Sequence, residues 1–257
     1  MSDPMSLAGR TIIVTGAGQG IGLGVATLAA ELGANVVLAD RNPATLEAAL
    51  ATFDAGRAIA VEGDVSEEAF AARVVAGAVE RFGGVNGLVN NAGITRPAMI
   101  TKMTTEQWSQ VIAVNLNGAY FMLQAVGRQL IAQAEGGEER PGAIVNISSI
   151  AAKRGTVGQI NYSAAKAALL GMTMSAAREW GRYGIRVNSV AFGVVDTPMT
   201  ETVRSERFRD RFLNEILLGR FAAPAEVAKP VCFLLSEAAS YVTGENMTVA
   251  GGMHMQP

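Results

Sequence analysis

Seven short runs rich in Val and Ile alternate along the chain with longer segments in which apolar residues recur every three to four positions. This alternation predicts β-α-β units, and thus a parallel sheet whose strands are buried on both faces. The strands are predicted at Thr11–Thr15, Asn35–Ala39, Ala58–Val61, Gly87–Asn90, Ala143–Ile147, Ile185–Val190 and Met247–Val249. The helices are predicted at 20–32, 43–52, 67–82, 105–134, 160–182 and 224–236. The fold class is therefore α/β, a doubly wound parallel sheet of seven strands in one domain covering residues 1–257.

The ionisable residues exclude several classes of function. The 21 basic and 23 acidic residues leave a formal charge of −2 without a basic run, so nucleic acid is not an expected partner. The single histidine, His254, lies three residues from the C-terminus, which excludes a Ser/His/Asp hydrolase and a metal site built on several imidazoles. We therefore expect no metal.

The location of the protein is predicted from three further features. The only cysteine, Cys232, lies in an apolar helical segment, so we expect a core residue, no internal disulfide and a reducing compartment. No run reaches the roughly 18 apolar residues of a membrane span. Residues 1–10 lack the apolar core of a secretory signal. We expect a cytoplasmic protein with no membrane partner.

A glycine-rich loop directly follows the first strand and precedes the first helix. Its residues are Gly16, Ala17, Gly18, Gln19, Gly20, Ile21 and Gly22. Gly16 permits a tight turn, Gly20 lets the backbone approach a pyrophosphate, and Gly22 lets the helix pack against the strand. The spacing departs from G-x-G-x-x-G, and a merely flexible turn is the alternative, but the strand–loop–helix context predicts a dinucleotide-binding loop that includes Gln19 and Ile21.

The second strand ends at Asp40, where a carboxylate can accept the adenosine ribose hydroxyls and repel a 2′-phosphate. This favours NAD(H). Arg41 leaves NADP(H) open, because a guanidinium there could pair with that phosphate, although it could also be a solvated loop charge. Asp64 and Val65, after the third strand, are candidates for the adenine edge. The other flank of the cofactor is assigned to Asn91, Ala92 and Gly93, after the fourth strand.

Tyr162 and Lys166 are four residues apart on a predicted helix, so their side chains are neighbours on one face. An ammonium near a phenol is expected to lower the phenol's pKa, which would make Tyr162 a usable acid or base. Ser149, at the end of the fifth strand, could hydrogen-bond the reacting oxygen, and Ser148 is a competing candidate. Taken alone, Tyr162 and Lys166 would more simply be a packing residue and a surface charge.

Several motifs together resemble those of the short-chain dehydrogenase/reductase family. They are Thr15–Gly22 (TGAGQGIG), Asn90–Gly93 (NNAG), Asn115 in VNLNG, Ser149, and Tyr162–Lys166 (YSAAK). The resemblance implies a Rossmann-type fold, with Tyr162 as acid/base, Lys166 binding the nicotinamide ribose and Ser149 orienting the substrate. It also implies that Asn115 holds a water linked to Lys166, and that the nicotinamide carboxamide meets Val195 and Thr197.

The chain departs from the family pattern at two positions. Phe192 stands where relatives usually have proline, and it is expected either to narrow the pocket near the nicotinamide or to fill a gap in the core. Ala250 stands where an acidic residue is common, with no clear consequence. The segment Thr200–Leu218 is an amphipathic excursion, and residues 195–220 are interpreted as a substrate lid.

The sequence leaves three functions open. The leading one is interconversion of a secondary alcohol and a ketone by an NAD-preferring alcohol, polyol or hydroxyacyl dehydrogenase. The second is an NADPH-dependent 3-oxoacyl-(acyl-carrier-protein) reductase, which would bind an acyl carrier protein. Against it stands Tyr183, where such reductases often have arginine, although nearby basic residues could compensate: Arg140, Lys153, Arg154 and Arg182. The third, a dinucleotide sensor without catalysis, fits poorly with an intact catalytic set.

The helix that carries Tyr162 continues with an apolar face formed by Leu169, Met172 and Met174. The family resemblance implies that this face pairs between subunits and that the protein is a homotetramer. Burial of the same face within one subunit is the alternative.

Overall fold

The structure is a computed structural model that describes residues 3–255. The predicted domain, 1–257, therefore extends at each end into residues outside the described ones: Met1, Ser2, Gln256 and Pro257. The seven strands are β1 Thr11–Thr15, β2 Asn35–Asp40, β3 Ala58–Glu62, β4 Gly87–Asn90, β5 Ala143–Ser149, β6 Arg186–Phe192 and β7 Asn246–Val249. All seven predicted strands are present, within two residues of their predicted bounds.

The strands form one parallel sheet in the order β3-β2-β1-β4-β5-β6-β7. The order reverses between β1 and β4, so the connections leave the sheet in opposite directions at that point. Open parallel sheets bind ligands beyond the carboxyl ends of the strands where such a reversal occurs. The predicted doubly wound, Rossmann-type fold is confirmed, and the topology places a crevice after Thr15 and Asn90.

Ten α-helices flank the sheet in the described part of the chain. They are α1 Gly20–Glu31, α2 Pro43–Leu50, α3 Glu68–Phe82, α4 Thr105–Ile112, α5 Ala119–Glu135, α6 Ala151–Arg154, α7 Ile160–Trp180, α8 Glu201–Arg204, α9 Glu206–Glu215 and α10 Pro224–Leu235. Several helices begin as their sequences indicate. Thr104 and Gln107 form a reciprocal capping box at α4, and Pro224 occupies the first position of α10.

Two apolar clusters lie on opposite faces of the sheet because successive side chains of a strand point in opposite directions. Ile12 and Val14 of β1 belong to the cluster that includes residues of α1, α2 and α10. Ile13 belongs to the cluster that includes residues of α3, α5 and α7. Cys232 is fully buried in the first cluster, where burial raises the pKa of its thiol to about 12, as expected for a core residue.

The single helix predicted over 105–134 is wrong in its middle. α4 ends at Ile112, a π-helix covers Ala113–Gly118, and α5 starts at Ala119. The π-helical turn contains Asn115, whose side chain bonds to a distant backbone segment. A π-helical turn contains an additional residue, which the periodicity of apolar residues does not reveal. Such turns are frequent at functional sites.

Two kinds of feature are absent from residues 3–255: a membrane-spanning helix and a metal-binding cluster. No helix in that range is long and apolar enough to cross a membrane. No group of three or more His, Cys, Asp or Glu side chains in the same range is arranged to hold a metal ion. The cytoplasmic location stays a prediction.

Candidate active site

The glycine-rich loop joins β1 to α1 at the reversal of strand order. Gly16 and Gly20 have φ of 65° and 59°, a left-handed conformation that residues with a Cβ adopt only with strain. A Cβ on Gly22 would lie 2.1 Å from the carbonyl oxygen of Gly16, so only glycine allows α1 to approach the strand this closely. The roles assigned to Gly16 and Gly22 from sequence match this geometry. The loop leads directly into the N-terminus of α1, where backbone N–H groups favour an anion.

Gly18, which was not assigned a site role from sequence, links the loop to the end of β2. Its N–H donates a hydrogen bond of 2.9 Å to Oδ2 of Asp40. A Cβ at Gly18 would lie 2.5 Å from Oγ1 of Thr45 and 3.1 Å from the Asp40 carboxylate. Gly18 belongs to the glycine-rich motif, but the motif alone does not show which of its glycines contacts the end of β2.

A second link joins the ends of β1 and β4. Thr15 Oγ1 accepts hydrogen bonds from the N–H groups of Asn91 and Ala92, both at 3.0 Å. The Asn91 side chain donates to the carbonyl oxygens of Thr15 and Gly16 at 2.9 and 3.2 Å. Asn91 therefore holds the glycine-rich loop, which is called the phosphate loop below, with its carboxamide. Thr15 is a site residue that was not predicted from the sequence.

These elements surround a cleft of about 220 Å³ at the crevice. The cleft brings together most of the residues predicted to hold the cofactor, namely Gly16, Gln19, Gly20, Ile21, Asp40, Arg41, Asp64, Val65, Asn91, Ala92, Gly93 and Thr197. Pro198 and Met199, from the start of the predicted lid, also line it. Gly22 lies behind the cleft and shapes it by close packing.

Thr197 meets the phosphate loop from the other side of the cleft. A Cβ on Gly20 would lie 3.3 Å from Cγ2 of Thr197. Thr197 is held by its neighbours, because its N–H donates to Thr200 Oγ1 at 3.2 Å and its carbonyl oxygen accepts from Arg204 at 3.1 Å. Val195 is buried and pairs with Ala222, and it lines a second cavity instead of this cleft. The contacts predicted between these residues and the nicotinamide stay predictions.

The catalytic candidates meet where β5 ends beside α7. Ser149 lies near enough to the Tyr162 side chain to lower the pKa of its hydroxyl. The Lys166 ammonium lies 5.8 Å from the centroid of the Tyr162 ring and donates to the carbonyl oxygen of Ile147 at 2.7 Å. The Ser148 hydroxyl donates to the carbonyl oxygen of Lys166 at 2.9 Å. Ser149, and not Ser148, therefore faces the tyrosine.

Burial dominates the electrostatics of this pair. It raises the pKa of Tyr162 above its ordinary value, and the neighbouring Ser149 only partly opposes that rise. Burial also lowers the pKa of Lys166 to about 8. The prediction that Lys166 lowers the pKa of Tyr162 is wrong for the protein alone. Burial away from water destabilises the phenolate more than the positive charge of Lys166 stabilises it at this distance.

Asn115 is buried at the π-helical turn, and its carboxamide pairs with the backbone of Ile94. Oδ1 accepts from the Ile94 N–H at 2.8 Å, and Nδ2 donates to the Ile94 carbonyl oxygen at 3.0 Å. The side chain thus fixes the segment that follows Gly93. The water that the resemblance implies for Asn115 stays a prediction.

The two departures from the family pattern lie beside each other. Phe192 is buried in the core cluster on the α1 and α10 side of the sheet, which agrees with its core-filling alternative. Gly193 packs against Ala250, since a Cβ at Gly193 would lie 3.0 Å from it. Ala250 also lines a second cavity of about 120 Å³ behind the segment Gly193–Val195.

The segment interpreted as a lid contains α8 and α9. Arg204 ties its base by an ion pair of 2.7 Å with Asp196, and Arg154 of α6 pairs with Glu215 of α9 at 2.7 Å. Both pairs are partly exposed, so each contributes about 1 kcal/mol or less to stability. Phe212 of α9 and Ile216 also hold the segment by packing against Ile150 and Met253. Its role as a lid stays a prediction.

Comparison with known proteins agrees with this geometry. The family model described as enoyl-(acyl carrier protein) reductase matches residues 16–254. The chain is 40% identical to a 3-oxoacyl-(acyl-carrier-protein) reductase of Chlamydia trachomatis, with 96% of this chain and 98% of the relative aligned. It is 41% identical to an acetoacetyl-CoA reductase of Synechocystis, with 97% and 98% aligned.

A solved structure is similar over the same length. It is a 3-ketoacyl-(acyl-carrier-protein) reductase from Brucella melitensis complexed with NADH, which is 32% identical, with a TM-score of 0.89 over 97% of this chain and 100% of that one. Together with the fold and the arrangement of Ser149, Tyr162 and Lys166, these similarities identify the chain as a member of the short-chain dehydrogenase/reductase family of oxidoreductases, which act on CH–OH groups.

Proposed function

We propose that the protein interconverts a secondary alcohol and a ketone using NAD(H), with Tyr162 as the residue that gives or takes the hydroxyl proton. The observation that carries the proposal is the convergence of Ser149, Tyr162 and the buried Lys166 where β5 ends beside α7. A ligand oxygen that meets both hydroxyls would be held by Ser149 while Tyr162 transfers the proton. When bound, the cofactor supplies the hydride or accepts it, and its oxidised ring adds a positive charge.

The raised pKa of Tyr162 favours one direction at neutral pH. A protonated phenol is the form that donates to a developing alkoxide, so the protein is prepared for ketone reduction. Alcohol oxidation needs the phenolate, and its rate is expected to increase with pH. The buried lysine and the positive charge of the oxidised cofactor would both favour that phenolate in the complex.

The residues present fit a dinucleotide. Left-handed glycines, the N-terminus of α1 and the absence of Cβ atoms at the loop leave the backbone open to a pyrophosphate. Asp40 at the rim offers carboxylate oxygens to ribose hydroxyls and would repel a 2′-phosphate, which supports NAD(H) over NADP(H). Arg41 is exposed at the same rim and is the one feature there that favours the phosphate.

The side chains around the entrance support an apolar substrate. Met99, Val157, Ile160 and Met199 are all exposed. Ala98 donates to the carbonyl oxygen of Gly158 at 2.9 Å, so the segments with Met99 and Val157 adjoin just before α7. Together with relatives named for 3-oxoacyl and acetoacetyl substrates, this supports a 3-oxoacyl or 3-hydroxyacyl thioester.

Of the four basic residues considered for contact with an acidic carrier protein, Arg140 and Arg154 are already in ion pairs. Arg140 pairs with Glu237 at 2.6 Å and follows Glu138 and Glu139 directly in sequence. Arg182 stacks on Tyr183, with its guanidinium carbon 4.7 Å from the ring centroid. We therefore favour a small thioester such as a CoA ester over a carrier-bound one.

Initial rates with four combinations test the proposal: NADH or NADPH, each with acetoacetyl-CoA or acetoacetyl-carrier protein. We expect the highest kcat/KM with NADH and the CoA ester. Turnover of secondary alcohols or polyols alone would keep the cofactor assignment and reject the thioester. Binding of NADH without turnover of any substrate in a broad panel would reject the enzyme and leave a sensor.

A carrier-protein reductase that uses NADPH is the second candidate. It is favoured by the 40% identity to a reductase of that name and by Arg41 at the rim of the cleft. A kcat/KM about tenfold higher with NADPH and the carrier-bound substrate would establish it in place of the first.

We further propose that the protein is a homotetramer. Trp108 of α4, Tyr120 of α5 and Met174 of α7 are exposed on neighbouring helices, and apolar groups so placed are suited to pairing with another subunit. Light scattering that shows a stable monomer at micromolar concentration would reject this assembly.

A further inference from the structure

Asn161 is completely buried in the first turn of α7, directly before Tyr162. Its Nδ2 donates to the backbone carbonyl oxygens of Arg96 and Gln107, both at 3.0 Å, and its Oδ1 accepts from the backbone N–H of Tyr162 at 2.8 Å. Both amide hydrogens are used, and all three partners are backbone atoms. A single side chain thus ties the loop after β4, the first turn of α4 and the start of α7.

The loop held by Asn161 belongs to the cofactor side of the site. Gly93 and Ile94 line the cleft, Ile94 is fixed by Asn115, and Arg96 follows two residues later. The backbone from Gly93 to Arg96 is therefore fixed at both ends by buried carboxamides. Through Asn161 this backbone is connected to the residue that carries the phenol.

The position of Tyr162 depends on how α7 is held. One turn further along, the helix is attached to β5 by the bond from Ser148 to the Lys166 carbonyl oxygen and by the bond from Lys166 to Ile147. Those contacts fix the lysine. At the N-terminal end, the Tyr162 N–H is one of the donors that a helix leaves unpaired, and Asn161 satisfies it.

We propose that Asn161 is a positioning residue, which sets the Tyr162 hydroxyl against Ser149 and the cofactor cleft by anchoring the start of α7 to the 94–96 loop and α4. The inference rests on the proposed role of Tyr162 in proton transfer. Loss of the anchor would let the first turn of α7 shift while Lys166 stays attached to β5. The phenol would then lose its alignment with Ser149, whereas the cleft that binds NADH would be preserved.

Two variants of Asn161 and one matched control test this. Asn161→Asp has the same shape and still accepts from Tyr162, but it cannot donate to the two carbonyl oxygens. Asn161→Ser removes all three contacts. The control is Asn188→Ser on β6, where a buried carboxamide likewise bonds only backbone, donating to Val242 at 2.8 Å and accepting from Glu245 at 3.0 Å.

For both Asn161 variants we expect kcat to fall about tenfold or more, with the Kd for NADH within about twofold of the wild type. The midpoint of the pH profile for alcohol oxidation should move to higher pH, because a misplaced phenol moves away from Ser149, which lowers its pKa. Asn188→Ser should lower the melting temperature while kcat and the pH midpoint stay unchanged.

Several outcomes would overturn the inference. They are a wild-type kcat and pH midpoint in either Asn161 variant, an equal loss in Asn188→Ser, and failure of both Asn161 variants to fold, which would make the residue purely structural. A wild type that turns over no substrate would instead reject the proposed function.

Discussion

Gly18 and Asp40 form the contact that joins the phosphate loop to the end of the second strand, at 2.9 Å between the Gly18 nitrogen and Oδ2 of Asp40. The other carboxylate oxygen accepts from the N–H of Asn42 at 3.0 Å. Each oxygen keeps a lone pair for a further donor. The carboxylate is thus oriented by backbone groups before any ribose arrives, which limits the entropic cost of binding.

Replacement of Asp40 by alanine should change the cofactor preference. The variant loses the acceptor for the ribose hydroxyls and the charge that repels a 2′-phosphate, while Arg41 remains. We expect the Kd for NADH to rise by about tenfold or more and the Kd for NADPH to fall, as hydrogen bonds to charged groups are worth about 1.5–3 kcal/mol. Fluorescence titration of both cofactors measures this. Asp54→Ala, at an exposed position outside the cleft, is the control, and an unchanged NADH/NADPH ratio in Asp40→Ala would contradict the assignment.

Replacement of Tyr162 by phenylalanine should remove proton transfer and leave the cleft intact. We expect kcat to fall by about 10²–10⁴ with little change in NADH affinity, since Tyr162 is not among the residues that line the cleft. Steady-state kinetics with the best substrate checks this. Tyr183→Phe, which removes a hydroxyl bonded to Arg182, should behave as the wild type. Substantial activity in Tyr162→Phe would require another proton donor.

The buried Lys166 should make stability depend on pH. Its pKa is about 8 in the folded protein and 10.5 in the reference state, so the unfolded chain binds the extra proton between these values. The free energy of unfolding contributed by this group therefore rises with pH from about 8 to about 10.5, at roughly 1.4 kcal/mol per pH unit for one full proton. Below pH 8 both states are protonated, and its contribution no longer changes.

Urea unfolding of the wild type and of Lys166→Met over this pH range measures the effect. The difference between the two curves should be flat from pH 6 to 7 and should grow in favour of the wild type above pH 8. Parallel curves throughout would show that the lysine is not desolvated as the structure indicates.

Replacement of Gly22 by alanine should damage the phosphate loop. The new methyl would lie 2.1 Å from the Gly16 carbonyl oxygen and 2.6 Å from the Asn91 side chain, so the loop and α1 must separate. Overpacking of this kind costs about 1–3 kcal/mol or more, and we expect NADH binding to be lost as well. Chemical unfolding and fluorescence titration report the two effects. Gly181→Ala, where a methyl meets nothing within 4 Å, should change neither, and tolerance of Gly22→Ala would contradict the packing argument.

The fold could be predicted from the sequence because each pattern that indicates it involves residues only a few positions apart. Apolar runs of strand length, helical periodicity and capping residues all depend on neighbours within a few positions, and they placed every strand within two residues. The exception shows the limit of such signals. The helix predicted over 105–134 is interrupted by the π-helical turn at Ala113–Gly118, where Asn115 bonds to Ile94, 21 residues earlier in the chain.

The residues of the candidate site were predicted less completely than the strands, because many of their contacts are with residues distant in sequence. Motif and position placed Asp40 and Gly93 in the cleft, and their contacts with a dinucleotide stay predictions. Asn161 carried no signal beyond being next to Tyr162, since its partners lie on α4 and the loop after β4. The choice between Ser148 and Ser149 also needed the structure, because adjacent strand residues point to opposite faces.

The sequence by itself determined the strand–loop–helix order, the glycines of the phosphate loop and the residue types available for proton transfer. These properties depend on backbone conformation and hydrophobic patterning, which are set by residues close together in the sequence. Only the tertiary structure decided the sign of the pKa shift of Tyr162, the anchoring of α7 by Asn161 and the burial of Phe192 in the core. Those properties depend on how much water is excluded and on which distant backbone atoms arrive at the same place, and no stretch of sequence contains that information.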